Sequence, residues 1–296
     1  MTISSNDARS WASPGPQDIA QRTYDSVKAA LLNSPHLGSL EYEVFLQGSY
    51  ANSTNTRSDS DVDVVVMLIS TYVPDTRLLS QAERVHFEAR RTPGTTTPTQ
   101  FRDMVQGALT DHYGHDRVIS KNKCLFIPKS AGYLDADVVP SFQVQRFLNY
   151  PAVGEAQFIE GIRISPLQGE PIVNYPKEHK KNGSQKNRLA NELYKPTVRQ
   201  LKRLRSLAVD QGLLDYEDAP GYVIECLVHN VPNELFITDD LLRLKKVIAW
   251  LSSLTAEELA EKFWSCDQIH HLFQDDPGKH NQYGVKRALD TMKGLL

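Results

Sequence analysis

The chain has 296 residues, of which 40% are hydrophobic and 23% are charged. This composition is that of a globular protein with one or two domains, and a net charge of −3 argues against a protein wrapped in nucleic acid. No apolar run approaches the ~18 residues of a membrane span, and the first residues lack the basic and apolar regions of a signal peptide. The three cysteines, Cys124, Cys226 and Cys266, form neither a disulfide framework nor a zinc pair. We therefore expect a cytoplasmic protein without a membrane partner.

The first predicted elements are a helix, a strand and a glycine-serine turn. Apolar and small residues recur with helical spacing from Asp18 to Asn33, and residues 34–39 break the pattern. An apolar strand then leads into Gly48 and Ser49. Glycine allows the backbone to lie close to a ligand, and a short helix that opens at the serine has free N–H groups that attract phosphate. The sequence therefore predicts a phosphate-binding turn here.

Two carboxylates begin the next predicted strand. Val62 separates Asp61 from Asp63, and side chains alternate across a strand, so both carboxylates project from one face. Such a pair repels unless a cation lies between its members, and oxygen ligands of this kind suit Mg²⁺. The spacing alone also fits a hairpin with a solvated acidic edge. The Gly-Ser turn and the apolar strands on both sides favour a metal site for phosphoryl or nucleotidyl transfer.

A third carboxylate follows in the middle of the sequence. The predicted elements there are helices over 78–91 and 101–113 and strands over 123–127 and 133–139. Asp135 and Asp137 share one face of the second strand, which is predicted to end at Pro140, and only Asp137 has hydrophobic neighbours on both sides. On a strand beside the first pair, Asp137 would complete a two-metal site, bind the ion on the hydroxyl side and accept the proton. The alternative is a strand-end aspartate that faces water.

The second half of the sequence has mostly helical periodicity. The predicted elements are a β-meander over 142–176 and helices over 196–212, 223–229, from 238 and from 255. The basic stretch 174–188 fits either a solvated linker or a wall that faces the substrate. Residues Cys266, His270, His271 and His280 match no zinc spacing, and we assign no metal to them.

The helix predicted over 196–212 has an apolar face and a basic face. The basic residues are Lys195, Arg199, Lys202 and Arg203. A basic face is usually solvated. The alternative is that the helix turns a lysine toward a triphosphate.

Six stretches together resemble one enzyme family. They are residues 47–51, 61–63, 137–140, 176–179, 198–205 and 221–225. The first three resemble the signature of the DNA polymerase β-like nucleotidyltransferase superfamily, and the last three resemble its cGAS/DncV-like branch, the CD-NTases. Asp59 does not fit the signature, because Ser60 stands where the hydrophobic residue belongs. The resemblance runs from about residue 18 to 235. It implies an α+β fold, with a polymerase β-like core of mixed β-sheet and helices in 1–190 and a helical C-terminal lobe in 191–296 that closes the nucleotide cleft.

The resemblance also implies roles for individual residues. Gly48 and Ser49 would hold the donor phosphates, Lys202 would bind the triphosphate, and Tyr222 would stack on a base. The metal ligands would be Asp61, Asp63 and Asp137, which would hold two Mg²⁺ ions, with Mn²⁺ as the alternative. The family often has Ser-Tyr where this chain has Gly221-Tyr222, so one hydroxyl that contacts phosphate in the family is missing here.

The implied function is the Mg²⁺-dependent synthesis of a cyclic di- or trinucleotide second messenger from NTPs, with release of pyrophosphate, in anti-phage defence. The partners would be the NTP substrates and a downstream effector that binds the cyclic product. One alternative is a nucleotidyltransferase that modifies tRNA or a protein, as in toxin–antitoxin systems. Another is a catalytically silent sensor of nucleotides or nucleic acid, against which the three carboxylates argue. These residues carry no signature of the bases used, the linkage, the ring size, the activating signal or the oligomeric state.

Overall fold

The computed structural model describes residues 3–57, 61–275 and 279–296, so Asp59 and Ser60 lie outside the described residues. Within these ranges no helix is long and apolar enough to span a membrane. The chain forms two compact units. The first, here the sheet unit, consists of Asp18–Gln47 and Ser60–Lys177, and the second, here the helical unit, consists of Met1–Gln17, Gly48–Asp59 and Glu178–Leu296. The domain boundary expected at residue 190 stays a prediction.

The sheet unit is built on one mixed sheet. Its strands are β1 (Tyr42–Leu46), β2 (Asp61–Asp75), β3 (Ile119–Ser120), β4 (Leu125–Ile127), β5 (Asp135–Asn149), β6 (Gln157–Ile164) and β7 (Ile172–Asn174). Strands β2 and β5 are parallel and central, and the pairs β1–β2, β3–β4, β4–β5, β5–β6 and β6–β7 are antiparallel. Residues 64–68 of β2 are fully buried, as expected for a central strand covered on both faces.

The helices are α1 (Ser5–Ala12), α2 (Gln17–Leu32), α3 (Gly48–Asn52), α4 (Gln81–Arg90), α5 (Pro98–Tyr113), α6 (Pro176–Leu189), α7 (Tyr194–Asp210), α8 (Gly221–His229), α9 (Asp240–Ser253), α10 (Ala256–Lys262) and α11 (Gln282–Gly294). Capping boxes at Ser80, Thr97 and Thr255 fix the starts of α4, α5 and α10, because each cap and the third helical residue satisfy each other's backbone N–H groups. Helices α7, α8, α9 and α11 supply most of the buried core of the helical unit. The predicted α+β class is confirmed.

The structure differs from the sequence-based reading at two elements. No element was predicted for the basic stretch 174–188, and helix α6 covers most of it. The strand predicted to end at Pro140 continues to Asn149. Pro140 lies between the part of β5 that pairs with β4 and the part that pairs with β6, so its missing N–H removes no ladder bond on that side.

Candidate active site

The predicted Gly-Ser turn has the expected local structure. Strand β1 ends at Leu46, and α3 begins at Gly48, whose φ of +68° is a left-handed conformation that favours glycine. Beyond this short helix, the N–H of Thr54 donates a hydrogen bond to the carbonyl oxygen of Ser49 over 2.9 Å. Tyr50 and Asn52 of α3 are buried, and the side-chain amide of Asn52 donates a hydrogen bond to Glu225 Oε2. The turn is therefore held in place by the residues that follow it.

The carboxylates lie on the two central strands of the sheet unit. In the parallel register of β2 and β5, Asp61 is the partner of Asp135 and Asp63 is the partner of Asp137. Paired residues on neighbouring strands project to the same side, so all four carboxylates share one face of the sheet. Val62, between the first two, is fully buried on the other face. The predicted alternation is confirmed. Asp137 lies on β5, the strand beside the pair Asp61 and Asp63.

Asp137 has two polar partners on its own face of the sheet. The Lys121 ammonium lies 3.4 Å from its Oδ1 atom, and the thiol of Cys124 donates a hydrogen bond to the same atom over 3.2 Å. Burial and the bond to Asp137 raise the pKa of Cys124 to about 12, so this sulfur is a neutral thiol at physiological pH. Asp63 and Asp137 are half-buried and Asp61 is exposed.

The donor set fits a hard divalent cation. Carboxylate oxygens on adjacent strands are the ligands that Mg²⁺ takes, and like charges on one face favour a cation between them. In the described part of the chain, no three His, Cys, Asp or Glu side chains are already gathered into a metal cluster. The register places the three predicted ligands on one face of the sheet, where Asp137 contacts the Lys121 ammonium and the Cys124 thiol.

Two residues of the basic face of α7, Arg199 and Lys202, are buried, so the alternative of a solvated face does not hold for them. The guanidinium of Arg199 donates hydrogen bonds to the carbonyl oxygens of Ala12 and Ser53, over 2.6 and 2.5 Å. Lys202 is 5% exposed, and its ammonium lies 2.7 Å from a carboxylate oxygen of Glu225. Arg203 is half-buried. The basic face is covered because α7 packs against other helices of the helical unit on several sides.

Glu225 and His179 are polar residues to which the sequence had assigned no role. Both are buried in the helical unit, and the His179 Nε2 atom lies 3.0 Å from Glu225 Oε2. Burial alone would raise the pKa of the Glu225 carboxyl, but the Lys202 charge and the His179 contact outweigh it and hold that pKa well below its usual range. An acid inside the otherwise apolar helix α8 was the signal that could have identified this site.

Tyr222 occupies a half-buried position at the start of α8. Its ring lies 5.5 Å from the ring of His179 and 5.7 Å from that of His280, between centroids. The preceding Gly221 lies against the lysine of α7, since a Cβ atom at this position would be 3.4 Å from Lys202 Cε. Lys202 and Gly221 are therefore neighbours within the helical unit, and Tyr222 directly follows Gly221.

Comparison with known proteins gives consistent matches over the whole chain. Residues 181–296 match the family model of the cGAS/DncV-like nucleotidyltransferase C-terminal helical domain. A cyclic UMP-AMP synthase of Rhodothermus marinus is 35% identical over 298 residues, covering 100% of this chain and 98% of the relative. A cyclic dipyrimidine nucleotide synthase, CdnE, of Cecembia lonarensis is 31% identical over 89% of this chain and 88% of its own length.

Solved structures agree with these sequence matches. The R. marinus CdnE c-UMP-AMP synthase, solved with Apcpp and Upnpp, superposes with a TM-score of 0.85 at 34% identity, covering 99% of this chain and 96% of the other. The Elizabethkingia meningoseptica CdnE cyclic dinucleotide synthase, solved with GTP and Apcpp, gives a TM-score of 0.77 at 25% identity, covering 98% and 97%.

Proposed function

The chain belongs to the cGAS/DncV-like nucleotidyltransferases, and from that premise we propose that it joins NTPs into a cyclic dinucleotide with release of pyrophosphate. The observation that carries the proposal is the pairing of Asp63 with Asp137 in a chain that aligns over its full length with a cyclic nucleotide synthase. Both relatives named above are dinucleotide synthases, which favours a dinucleotide over a trinucleotide. The expected setting is the cytoplasm, in anti-phage signalling through an effector that binds the product.

The proposed reaction consists of two nucleotidyl transfers of the same kind. A ribose hydroxyl of one nucleotide attacks the α-phosphorus of another, the new P–O bond forms, the bond to the β-phosphate oxygen breaks, and pyrophosphate leaves. The second transfer uses the triphosphate that remains on the linear intermediate and closes the ring. Each transfer releases one proton from the attacking hydroxyl, and we assign its acceptance to the Asp137 carboxylate.

The residues of the sheet unit would hold the metal in this reaction. We propose that Asp61, Asp63 and Asp137 bind two Mg²⁺ ions, or Mn²⁺ in their place. When bound, these ions lower the pKa of the attacking hydroxyl and neutralise charge on the triphosphate. The carboxylates contribute by fixing the position of the cations on one face of the sheet, which β2 and β5 make rigid.

The residues of the helical unit would bind the nucleotide. We assign the donor phosphates to the turn at Gly48 and Ser49, the triphosphate charge to Lys202, and base stacking to Tyr222. The left-handed Gly48 and the proximity of Lys202 to Gly221 support these assignments. Stacking on a tyrosine ring accepts any base, so base choice rests on other contacts.

Mass spectrometry of the products tests the proposed function. The protein is incubated with all four NTPs, with and without Mg²⁺, and the mixture is treated with phosphatase before mass measurement. We expect a phosphatase-resistant cyclic dinucleotide and one pyrophosphate per bond only when Mg²⁺ is present. Label transferred to tRNA or to a protein would instead support a toxin–antitoxin function, and unchanged NTPs would support a silent sensor.

A further inference from the structure

A single buried carboxylate connects three segments of the helical unit. Glu225 is 3% exposed and lies in α8, whose other buried residues are apolar. Its Oε1 atom accepts hydrogen bonds from Lys202 Nζ and Thr54 Oγ1, both over 2.7 Å. Its Oε2 atom contacts Asn52 Nδ2 at 3.1 Å and His179 Nε2 at 3.0 Å. These five residues are here called the Glu225 cluster. A carboxylate has about four acceptor sites, so all of them are used.

The cluster joins Lys202 of α7 to the Gly-Ser turn. Asn52 ends α3, and Thr54 follows it closely in the chain. The N–H of Thr54 donates to the carbonyl oxygen of Ser49, so one residue links the Glu225 carboxylate to the turn. The Lys202 ammonium also lies 3.3 Å from the carbonyl oxygen of Thr54. The carboxylate, the lysine and the segment after the turn therefore hold one another in a fixed arrangement.

Two basic side chains contact the Glu225 carboxylate. Burial alone would lower the pKa of His179, but Cys266 and the Glu225 carboxylate outweigh it and raise this pKa well above its usual value. Two cations, Lys202 and His179, thus share one carboxylate.

We propose that Glu225 is a positioning residue for nucleotide binding, whose carboxylate fixes Lys202 and the Gly48–Ser49 turn relative to each other so that both contact one triphosphate. This inference rests on the proposed function, in which the lysine and the turn bind phosphate. A carboxylate that only stabilised the fold would change the melting temperature when removed. It would leave the affinity of the folded protein for phosphate unchanged.

A double-mutant cycle read by phosphate binding separates these two roles. The probe is inorganic tripolyphosphate with Mg²⁺, measured by isothermal titration calorimetry on Lys202→Met, Glu225→Gln and the double variant. It requires neither a base nor turnover. We expect each single variant to bind about tenfold more weakly or worse, because a charge-assisted contact is lost or misplaced. The two losses should not add up in the double variant, because Glu225 acts in part through the lysine.

Three further variants serve as controls. Gln200→Leu removes another buried polar group of α7, which bonds to the carbonyl oxygen of Ala8, and should lower the melting temperature without changing the dissociation constant. Arg203→Ala, on the half-buried flank of the same helix, should also leave it unchanged. Thr54→Val keeps the side-chain volume and removes one of the four hydrogen bonds to the Glu225 carboxylate. It should therefore weaken tripolyphosphate binding by about two- to fivefold.

The outcomes that overturn the inference are specific. Wild-type affinity in Glu225→Gln, or losses that add up in the double variant, would reduce Glu225 to a structural residue. If Glu225→Gln does not fold, unchanged affinity in Thr54→Val would reduce it in the same way. A protein that shows the expected cycle with tripolyphosphate but forms no cyclic product would retain this inference and lose the proposed function.

Discussion

Asp63 of β2 and Asp137 of β5 are direct partners in a parallel register. Neighbouring strands lie about 4.8 Å apart, so these two carboxylates are held side by side on one face of a rigid sheet. The Lys121 ammonium, 3.4 Å from Asp137 Oδ1, also lies 3.5 Å from the centroid of the Phe126 ring. This face therefore favours positive charge, and it is where the two-metal proposal is most directly testable.

The first prediction concerns the acidic pair on β2. Asp61→Asn together with Asp63→Asn removes two negative charges and nearly preserves volume, so the sheet should still form. We expect cyclic product to decrease by about 10³-fold or more, because bound cations stabilise most of the charge that develops in the transition state. Product by mass spectrometry and folding by circular dichroism check this. The exposed Asp116→Asn is the control, and near-normal turnover in the double variant would refute the metal site.

The second prediction distinguishes the two aspartates of β5. The backbone N–H of Lys129 donates to Asp135 Oδ1 over 2.6 Å, so this carboxylate supports the loop before the strand. Asp135→Asn should keep most of the synthesis and lose about 0.5–1.5 kcal/mol of stability, the net value of one such bond. Asp137→Asn should abolish synthesis and should change the free energy of unfolding, measured by urea denaturation, only slightly. The reverse pattern would mean that the other aspartate is the metal ligand.

The third prediction is a pH dependence of stability that comes from His179. Its pKa is raised in the folded protein, because Cys266 and Glu225 favour the charged ring against the cost of burial. Below about pH 6.5, the usual histidine value, the ring is charged in both states and its stabilisation is fully present. As pH rises from there toward the folded pKa, the unfolded state binds fewer protons, and stability falls by up to about 1.4 kcal/mol per pH unit.

Urea unfolding of the wild type and His179→Gln between pH 5.5 and 8.5 measures this effect. The difference in free energy of unfolding between the two proteins should be largest at the acidic end and should decrease as pH rises. His86→Gln, on the exposed face of α4, is the control for replacing a histidine elsewhere in the chain. A gap that is constant or widens with pH would show that His179 is not the group responsible.

Local patterns in the sequence were sufficient for most elements and for the carboxylate face. Apolar periodicity predicted α2 and α7, and the alternation of Asp61, Val62 and Asp63 predicted which side chains share a face. Such features depend only on residues close in the chain. Helix α6 was missed because its sequence is polar throughout, so no apolar stripe marks it, although His179, Gly183 and Asn187 are buried at helical spacing.

The acid in α8 marks the position of Glu225, but the other members of the Glu225 cluster were not predictable from the sequence. Its members come from residues 52, 54, 179, 202 and 225, which only the folded helical unit brings together. On a helical wheel Lys202 and Arg199 fall opposite the apolar face, which indicates solvent exposure for an isolated helix. Both are buried because neighbouring segments supply a carboxylate and backbone carbonyls. Pairing over such distances in the chain has no local signature.

The fourth prediction restores the hydroxyl that the family often has at position 221. A Cβ atom there would lie 3.4 Å from Lys202 Cε and 3.9 Å from the Tyr216 hydroxyl, so Gly221→Ser fits without displacing backbone. We expect an NTP KM about two- to tenfold lower, the effect of one added hydrogen bond to phosphate. Gly221→Ala is the matched control, since it adds the Cβ without the hydroxyl. Equal KM values in the two variants would show that no phosphate lies within reach.

The last prediction concerns Tyr222, whose ring is half-buried near the imidazoles of His179 and His280. Stacking on a base needs the face of the ring, so Tyr222→Phe should keep activity. Tyr222→Ala should raise the NTP KM about tenfold, because base stacking contributes roughly 1–3 kcal/mol. A core role predicts something different, since truncating a buried aromatic residue costs about 3–5 kcal/mol and lowers the melting temperature clearly.

Melting curves of Tyr222→Ala with and without a non-hydrolysable NTP analogue decide between these roles. With stacking, the variant without ligand should melt close to the wild type, and most of the ligand-induced increase in melting temperature should be lost, because that increase scales with affinity. The Phe variant should show the full increase. A large decrease in melting temperature without ligand, together with an undiminished response to the analogue, would place Tyr222 in the core and end its assignment to the base.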